Sequence, residues 1–182
     1  MLKFLSINER RARTGFTLIE LLVVIAIIGI LASIVVASLN TARRKSRDAR
    51  RIADVKQIQL ALELYYDAGK GNDGLGSFAS YPLVTATLAG TYIPGVPKDP
   101  TGNNAYAYTP VDATGAACAG ATTACTSYRL GATLADGSNQ ALTNDADSPA
   151  VGAAGFSGTS AAAEGTPCNT SVGTETCYDV KP

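Results

Sequence analysis

The chain has 182 residues, with 15 basic and 15 acidic side chains, four cysteines and no histidine. That length supports one modest domain plus an extra element. The lack of histidine removes the usual general base and a common metal ligand, so hydrolytic triads and histidine-zinc centres are poor readings, and no enzymatic activity is expected.

The zero net charge is a sum of unlike parts: residues 1–15 carry +3, residues 43–56 carry +5, and the chain from Gln57 onward carries −7. A basic base and an acidic head suggest a chain that crosses between environments. Residues 1–15 form a short basic leader, and Leu21 to Leu39 is a run of nineteen residues without a charge. At a rise of ~1.5 Å per residue this run nearly spans a hydrocarbon core of ~30 Å. It is long for the h-region of a secretory signal, although the small residues of "ILASIVVASLNTA" keep cleavage after the run as an alternative.

Glu20 stands at the start of this run, where a carboxylate is costly, on the order of 2.5–3.5 kcal/mol at mid-bilayer and less near an interface. The plain reading is a carboxylate at headgroup level, favoured by the backbone dipole of the helix N-terminus. If the chain is cut after Gly15, a new ammonium at Phe16 becomes its natural partner. The helix should continue past the run. Thr41 to Lys56 has no Pro or Gly, and Val55, Ile58, Leu62 and Tyr65 make one apolar stripe. The expected helix runs from about Thr17 to about Ala68, roughly 75 Å by the same rise. The basic cluster "ARRKSRDARR" could contact nucleic acid, but no aromatic residue is interleaved, and a solvated or interface face is preferred. Tyr65 and Tyr66 read as core.

A break follows at Gly69–Ser77. Beyond it, "NAYAYTPV" sets Tyr106 and Tyr108 on one side of a strand. "TSYRLGATLADG" does the same for Tyr128, Leu130, Ala132 and Leu134 before an Asp136-Gly137 turn signal, and "TCYDV" is a short last strand. Cys118, Cys125, Cys168 and Cys177 in this weakly apolar half indicate two disulfides and an oxidising compartment. Three pairings are open; proximity favours Cys118 with Cys125 and Cys168 with Cys177. "NTS" at Asn169 to Ser171 fits a glycosylation sequon, a triplet common by chance. The fold expected is α+β: a long N-terminal helix packed on a small antiparallel sheet.

Basic leader, Gly15, then "FTLIELLVVIAIIGILASIVV" resembles the leader and N-terminal helix of bacterial type IV pilins and pseudopilins. The resemblance implies cleavage by a prepilin peptidase after Gly15 and methylation of Phe16. It also implies that Glu20 neutralises a neighbouring subunit's terminal amine during assembly, and that Gly29 is the family's helix glycine. Residue 37, where many pilins have proline, is alanine here, which puts in doubt any helix-melting step that needs the proline. "YIPGVPKDPTGNNAYAYTPV" is similar to the loop-to-strand stretch of the major pseudopilin of type II secretion, with Pro97, Lys98, Asp99, Pro100 and Gly102 in the pattern. Those pseudopilins bind calcium in a later loop, and Asp136, Asp145 and Asp147 are the candidate ligands here; otherwise no cofactor is expected.

These readings divide the chain into the leader (1–15), a transmembrane and filament-core helix (16–40), its amphipathic continuation (41–68) and a loop-rich sheet head (69–182). The function taken first is a structural subunit of a type IV pilus-like filament. The alternatives are a type II secretion pseudopilin with a calcium-stabilised head and, from another class, a monomeric membrane-anchored binding module. The partners implied are further copies of the chain, the prepilin peptidase, an inner-membrane assembly platform with its motor ATPase, and the bilayer before assembly. The localisation implied is the bacterial inner membrane as precursor, then an extracellular or periplasmic filament.

Overall fold

A computed structural model of the chain describes residues 15–69, 79–118, 124–147, 168 and 176–182. The leader up to Thr14, most of the Gly69–Ser77 break and the Asn169–Ser171 triplet lie outside the described residues. The chain divides into two units, one ending at Thr41 and one beginning at Ala42.

The first unit is the apolar part of helix α1 (Leu18–Asp67). Its large apolar side chains are all exposed, from Phe16 and Leu18 through Ile25, Ile30 and Val36 to Leu39. The helix is long and apolar enough to cross a membrane. Gly29 lies inside it with open space where a Cβ would stand. The helix also runs through Ala37 without interruption.

In the second unit the rest of α1 buries one stripe: Asp48, Arg51, Val55, Ile58, Ala61, Leu62 and Tyr65. The spacing of three and four keeps these residues on one face. The helix ends where Gly69 takes a positive φ of 62° and its N–H reaches the Tyr66 carbonyl at 2.9 Å, a backbone turn that glycine adopts at little cost.

Against the stripe stands a three-stranded antiparallel sheet, β1 (Ala107–Val111), β2 (Ser127–Thr133) and β3 (Cys177–Val180), in the order β1-β2-β3. Tyr108 faces Leu130 across the first pair, and Thr133 faces Cys177 across the second. Pro110 is tolerated because β1 is an edge strand and does not need that N–H. Tyr128, Leu130 and Ala132 join the helix stripe in the core, as their alternation predicts. Tyr106 is also buried, but it precedes β1, which begins at Ala107.

The cysteines pair Cys118–Cys125 and Cys168–Cys177, with Cα atoms 6.0 and 5.6 Å apart. The second disulfide packs on Ala107 and lies beside Thr133, so β2 is covered on its other face too. This accounts for the burial of Gly131 and Thr133, which simple alternation would turn to solvent. The Asp136-Gly137 turn forms, with the Asn139 N–H on the Asp136 carbonyl at 3.0 Å. It leads into a 3-10 turn, Gln140–Thr143, and not into a return strand.

Candidate processing and assembly site

The helix start is built by two residues acting on each other. Thr17 donates its backbone N–H and its hydroxyl to Glu20 Oε2, at 2.8 and 2.7 Å, and Glu20 N–H donates to Thr17 Oγ1 at 3.3 Å. This is the reciprocal capping box of Thr-x-x-Glu, which satisfies donors the first helical turn would otherwise leave unpaired. Glu20 therefore has a local structural role in addition to the assembly role implied by resemblance. Gly15 and Phe16 precede the helix, and the Phe16 side chain is 88% exposed. Phe16, Ile19, Glu20, Val23 and Val24 line a shallow apolar recess next to the carboxylate. A cut after Gly15 would put the new ammonium one residue ahead of the cap, within the same turn as Glu20. The Thr17-x-x-Glu20 spacing is visible in the sequence and is the signal that identifies the box.

The head is fastened to the helix by Arg51, which the sequence analysis counted with the solvated basic cluster. The structure corrects that: Arg51 is wholly buried because its position extends the apolar stripe one step back from Val55. Its Nε and Nη2 donate to Asp99 Oδ2 and Oδ1 at 2.7 and 3.2 Å, Nη2 also to Thr101 Oγ1 at 2.8 Å, and Nη1 to Asp48 Oδ1 at 2.8 Å. Asp48 in turn accepts the N–H groups of Ala135 and Asp136, at 2.9 and 3.1 Å. Asp99 takes the Thr101 N–H at 2.8 Å, and Asn103 closes this turn with a φ of 54°. Burial pushes the Asp99 carboxyl up, but the hydrogen bonds from Arg51 and Thr101 and the guanidinium charge outweigh it and hold the group below the usual range.

Glu63 organises a second polar point, accepting from the hydroxyls of Tyr81 and Tyr128, both at 2.9 Å. Burial first, and then the Glu63 carboxylate, raise the ionisation of both tyrosines well above the ordinary value. Tyr65 is in the core and Tyr66 stacks on Tyr81 with centroids 4.7 Å apart.

The candidate calcium ligands do not converge. Asp136 is folded onto Ser138, taking its N–H and hydroxyl at 3.0 and 2.6 Å. Asp145 lies beside β3 and accepts the Asp179 N–H at 3.2 Å, while its Oδ1 is buried without a hydrogen-bond partner. Burial raises the Asp145 carboxyl to about 6, with Asp179 and Asp147 adding repulsion. Among the described residues no group of three or more His, Cys, Asp or Glu side chains is placed to hold a metal ion. The buried Asp145 oxygen thus lies in the repulsive field of Asp179 and Asp147, while Asp136 is engaged with Ser138.

Residues 10–36 match the family model described as the prokaryotic N-terminal methylation motif, a span that contains Gly15, Phe16, Glu20 and Gly29. The chain is 33% identical over 112 residues to type II secretion system core protein G of Vibrio cholerae, covering 58% of this chain and 77% of that protein. It is 34% identical over 103 residues to the protein of that name from Aeromonas hydrophila, covering 52% and 72%. With that of Escherichia coli K12 it shares 36% over 98 residues, covering 50% and 68%. No solved structure matches the chain. A long apolar helix with a capped N-terminal carboxylate and a small sheet head defines a pilin-like filament subunit. The chain belongs to the type IV pilin and pseudopilin family.

Proposed function

We propose that this chain is a pseudopilin of a type II secretion system, cut after Gly15, methylated at Phe16 and polymerised through its apolar helix. The identity to core protein G, over more than three quarters of the Vibrio cholerae protein, carries this reading. The pilus, taken first on the sequence alone, becomes the second reading. The Asp99 loop supports the reversal, since the stretch that resembles the secretion pseudopilin is the one Arg51 holds against the helix.

The mechanism is assembly. In the bilayer the exposed apolar residues of α1 are covered by lipid, and in a filament by neighbouring helices, with burial contributing ~25 cal/mol per Å² of apolar area. Glu20 supplies a charge that a neighbour's Phe16 ammonium would neutralise, which sets register. The motor is a separate protein. Calcium belongs to the same reading: Asp145 and Asp147 would hold it, and it would neutralise carboxylates that otherwise repel one another.

The test is intact mass and N-terminal sequencing of the protein from cells with a prepilin peptidase. A chain starting at Phe16, heavier by one methyl group and lighter by two hydrogens per disulfide, is expected. A chain starting at Met1 or cut after Leu39 would overturn it. Deleting the gene should leave secreted proteins inside the cell while surface pili persist; the reverse would return the chain to the pilus. For calcium, a chelator should lower the melting temperature of the wild type and leave Asp145→Asn unchanged.

A further inference from the structure

Just beyond the apolar run the chain places five cations within eight residues: Arg43, Arg44, Lys45, Arg47 and Arg50. Arg43, Arg44, Lys45 and Arg50 are exposed, and Arg47 is half-buried. The acidic residue inside this stretch, Asp48, is wholly buried and engaged with Arg51, Ala135 and Asp136. Arg51 is itself neutralised by Asp99. The buried network thus withdraws Asp48 and Arg51 from the helix surface, and the charged side chains left exposed there are cationic. Acids outside this stretch also reach it: Asp54 lies 3.7 Å from Arg50, and Asp136 on the head feels the charge of Lys45.

The arrangement selects the partner. Arg43, Arg44 and Lys45 are consecutive helical residues, so at about 100° per residue they point to three sides of the helix axis. Arg47 and Arg50 return to within about 40° of the Arg43 side, so that side carries a stripe, and Arg44 and Lys45 extend the charge around the rest of the axis. A ring suits a partner that surrounds the helix in a plane. Arg43 follows Leu39 by four residues, roughly 6 Å of rise, which is the depth of a headgroup layer beside a ~30 Å core.

We propose that Arg43, Arg44 and Lys45, with Arg47 and Arg50 behind them, form a collar that binds the headgroups of anionic phospholipids on the side of the membrane opposite the leader. This rests on the membrane-anchored reading above. In that topology the collar stands where the positive-inside tendency disfavours Lys and Arg, so these residues do not serve orientation. Each contact with an anionic surface is short-ranged and screened by salt. The collar would hold waiting subunits at a fixed height and concentrate them in anionic patches, from which assembly must detach them.

The test uses the full chain reconstituted in phosphatidylcholine vesicles, with spin-labelled phosphatidylglycerol and spin-labelled phosphatidylcholine compared by electron spin resonance. The expected result is a preference for phosphatidylglycerol of about threefold or more at low salt, shrinking in concentrated salt. The triple variant Arg43→Gln, Arg44→Gln, Lys45→Gln should lose most of that preference. The conservative variant Arg43→Lys with Arg44→Lys should keep it, and so should the leader variant Lys3→Gln, Arg10→Gln, Arg11→Gln, Arg13→Gln. No preference in the wild type, or one removed by the leader variant alone, overturns the proposal. So does a triple variant that keeps its lipid preference but loses self-association on cross-linking, which would make the ring a contact between copies. A chain that immobilises no lipid at all would instead sink the membrane-anchored reading itself.

Discussion

Arg51 and Asp99, 48 residues apart in sequence, meet side-on in the interior, with two nitrogens of the guanidinium on the two oxygens of the carboxylate. Through this pair the loop that precedes β1 is fixed to the helix. Through Asp48 the same guanidinium fixes the turn that follows β2. Removing the cation leaves two carboxylates buried without it, which typically costs ~3–5 kcal/mol. Arg51→Met should therefore melt far below the wild type, while Arg50→Met, one residue earlier and exposed, should stay within about 0.5 kcal/mol. Thermal unfolding of the two variants in detergent measures the difference, and equal effects would refute the assignment.

The same pair sets an acid limit. Asp99 is held below its ordinary value of 3.8, so the folded state binds its proton less readily than the unfolded chain. Its contribution is complete above the unfolded value and is lost as pH falls through the folded one. The melting temperature should drop on acidification below about pH 4, and Asp99→Asn, less stable at neutral pH, should show a flatter acid limb. An unchanged slope would assign acid sensitivity to another group.

At the N-terminus, charge and helix cap can be separated. Glu20→Gln can still accept from Thr17, because glutamine also completes a capping box, but it carries no charge. A charge-assisted hydrogen bond contributes ~1.5–3 kcal/mol, so losing it should lower the assembly constant roughly ten- to hundredfold. Thr17→Val, which removes the hydroxyl cap and keeps the carboxylate, should cost about 1 kcal/mol of helix stability. Sedimentation of sheared filaments, compared with monomer in the membrane fraction, separates the two. Normal fibre from Glu20→Gln would mean that the carboxylate only caps the helix.

The Cys168–Cys177 bridge covers the outer face of β2 and ties residue 168 to β3. Replacing both cysteines by serine should lower stability by ~2–3 kcal/mol in the chain-entropy view of a short loop. A reductant should then lower the variant by less than it lowers the wild type, since Cys118–Cys125 alone remains. Unfolding curves with and without reductant provide the check.

The parts of this architecture that rest on periodicity could be read from the sequence, and the parts that rest on long-range pairing could not. Val55, Ile58, Leu62 and Tyr65 announce a buried helix face because apolar side chains at three- and four-residue spacing have one physical use. Arg51 lies on the same face, but its identity argues for solvent until a carboxylate 48 residues away is known to meet it. Glu63 is hidden for the same reason, since its partners Tyr81 and Tyr128 come from two separate segments. Alternation correctly turned Tyr128 and Leu130 inward and failed at Gly131 and Thr133, because a disulfide from the end of the chain covers the second face. The three aspartates share a region of sequence, yet Asp136 turns onto Ser138 while Asp145 goes to β3.

The order β1-β2-β3 puts the latest strand against the middle of the sheet's history. β1 and β2 are near neighbours in sequence and can pair as soon as both are made, but β2 keeps a bare hydrogen-bonding edge until Cys177–Val180 arrives from more than forty residues downstream. A chain halted before that point would carry an open strand edge of the kind that recruits other strands. With β3 in place the outer edge passes to β3, where Asp145 accepts the Asp179 N–H and the Ala146 N–H donates to the Asp179 carbonyl, so a short loop, and not a further strand, blunts that side.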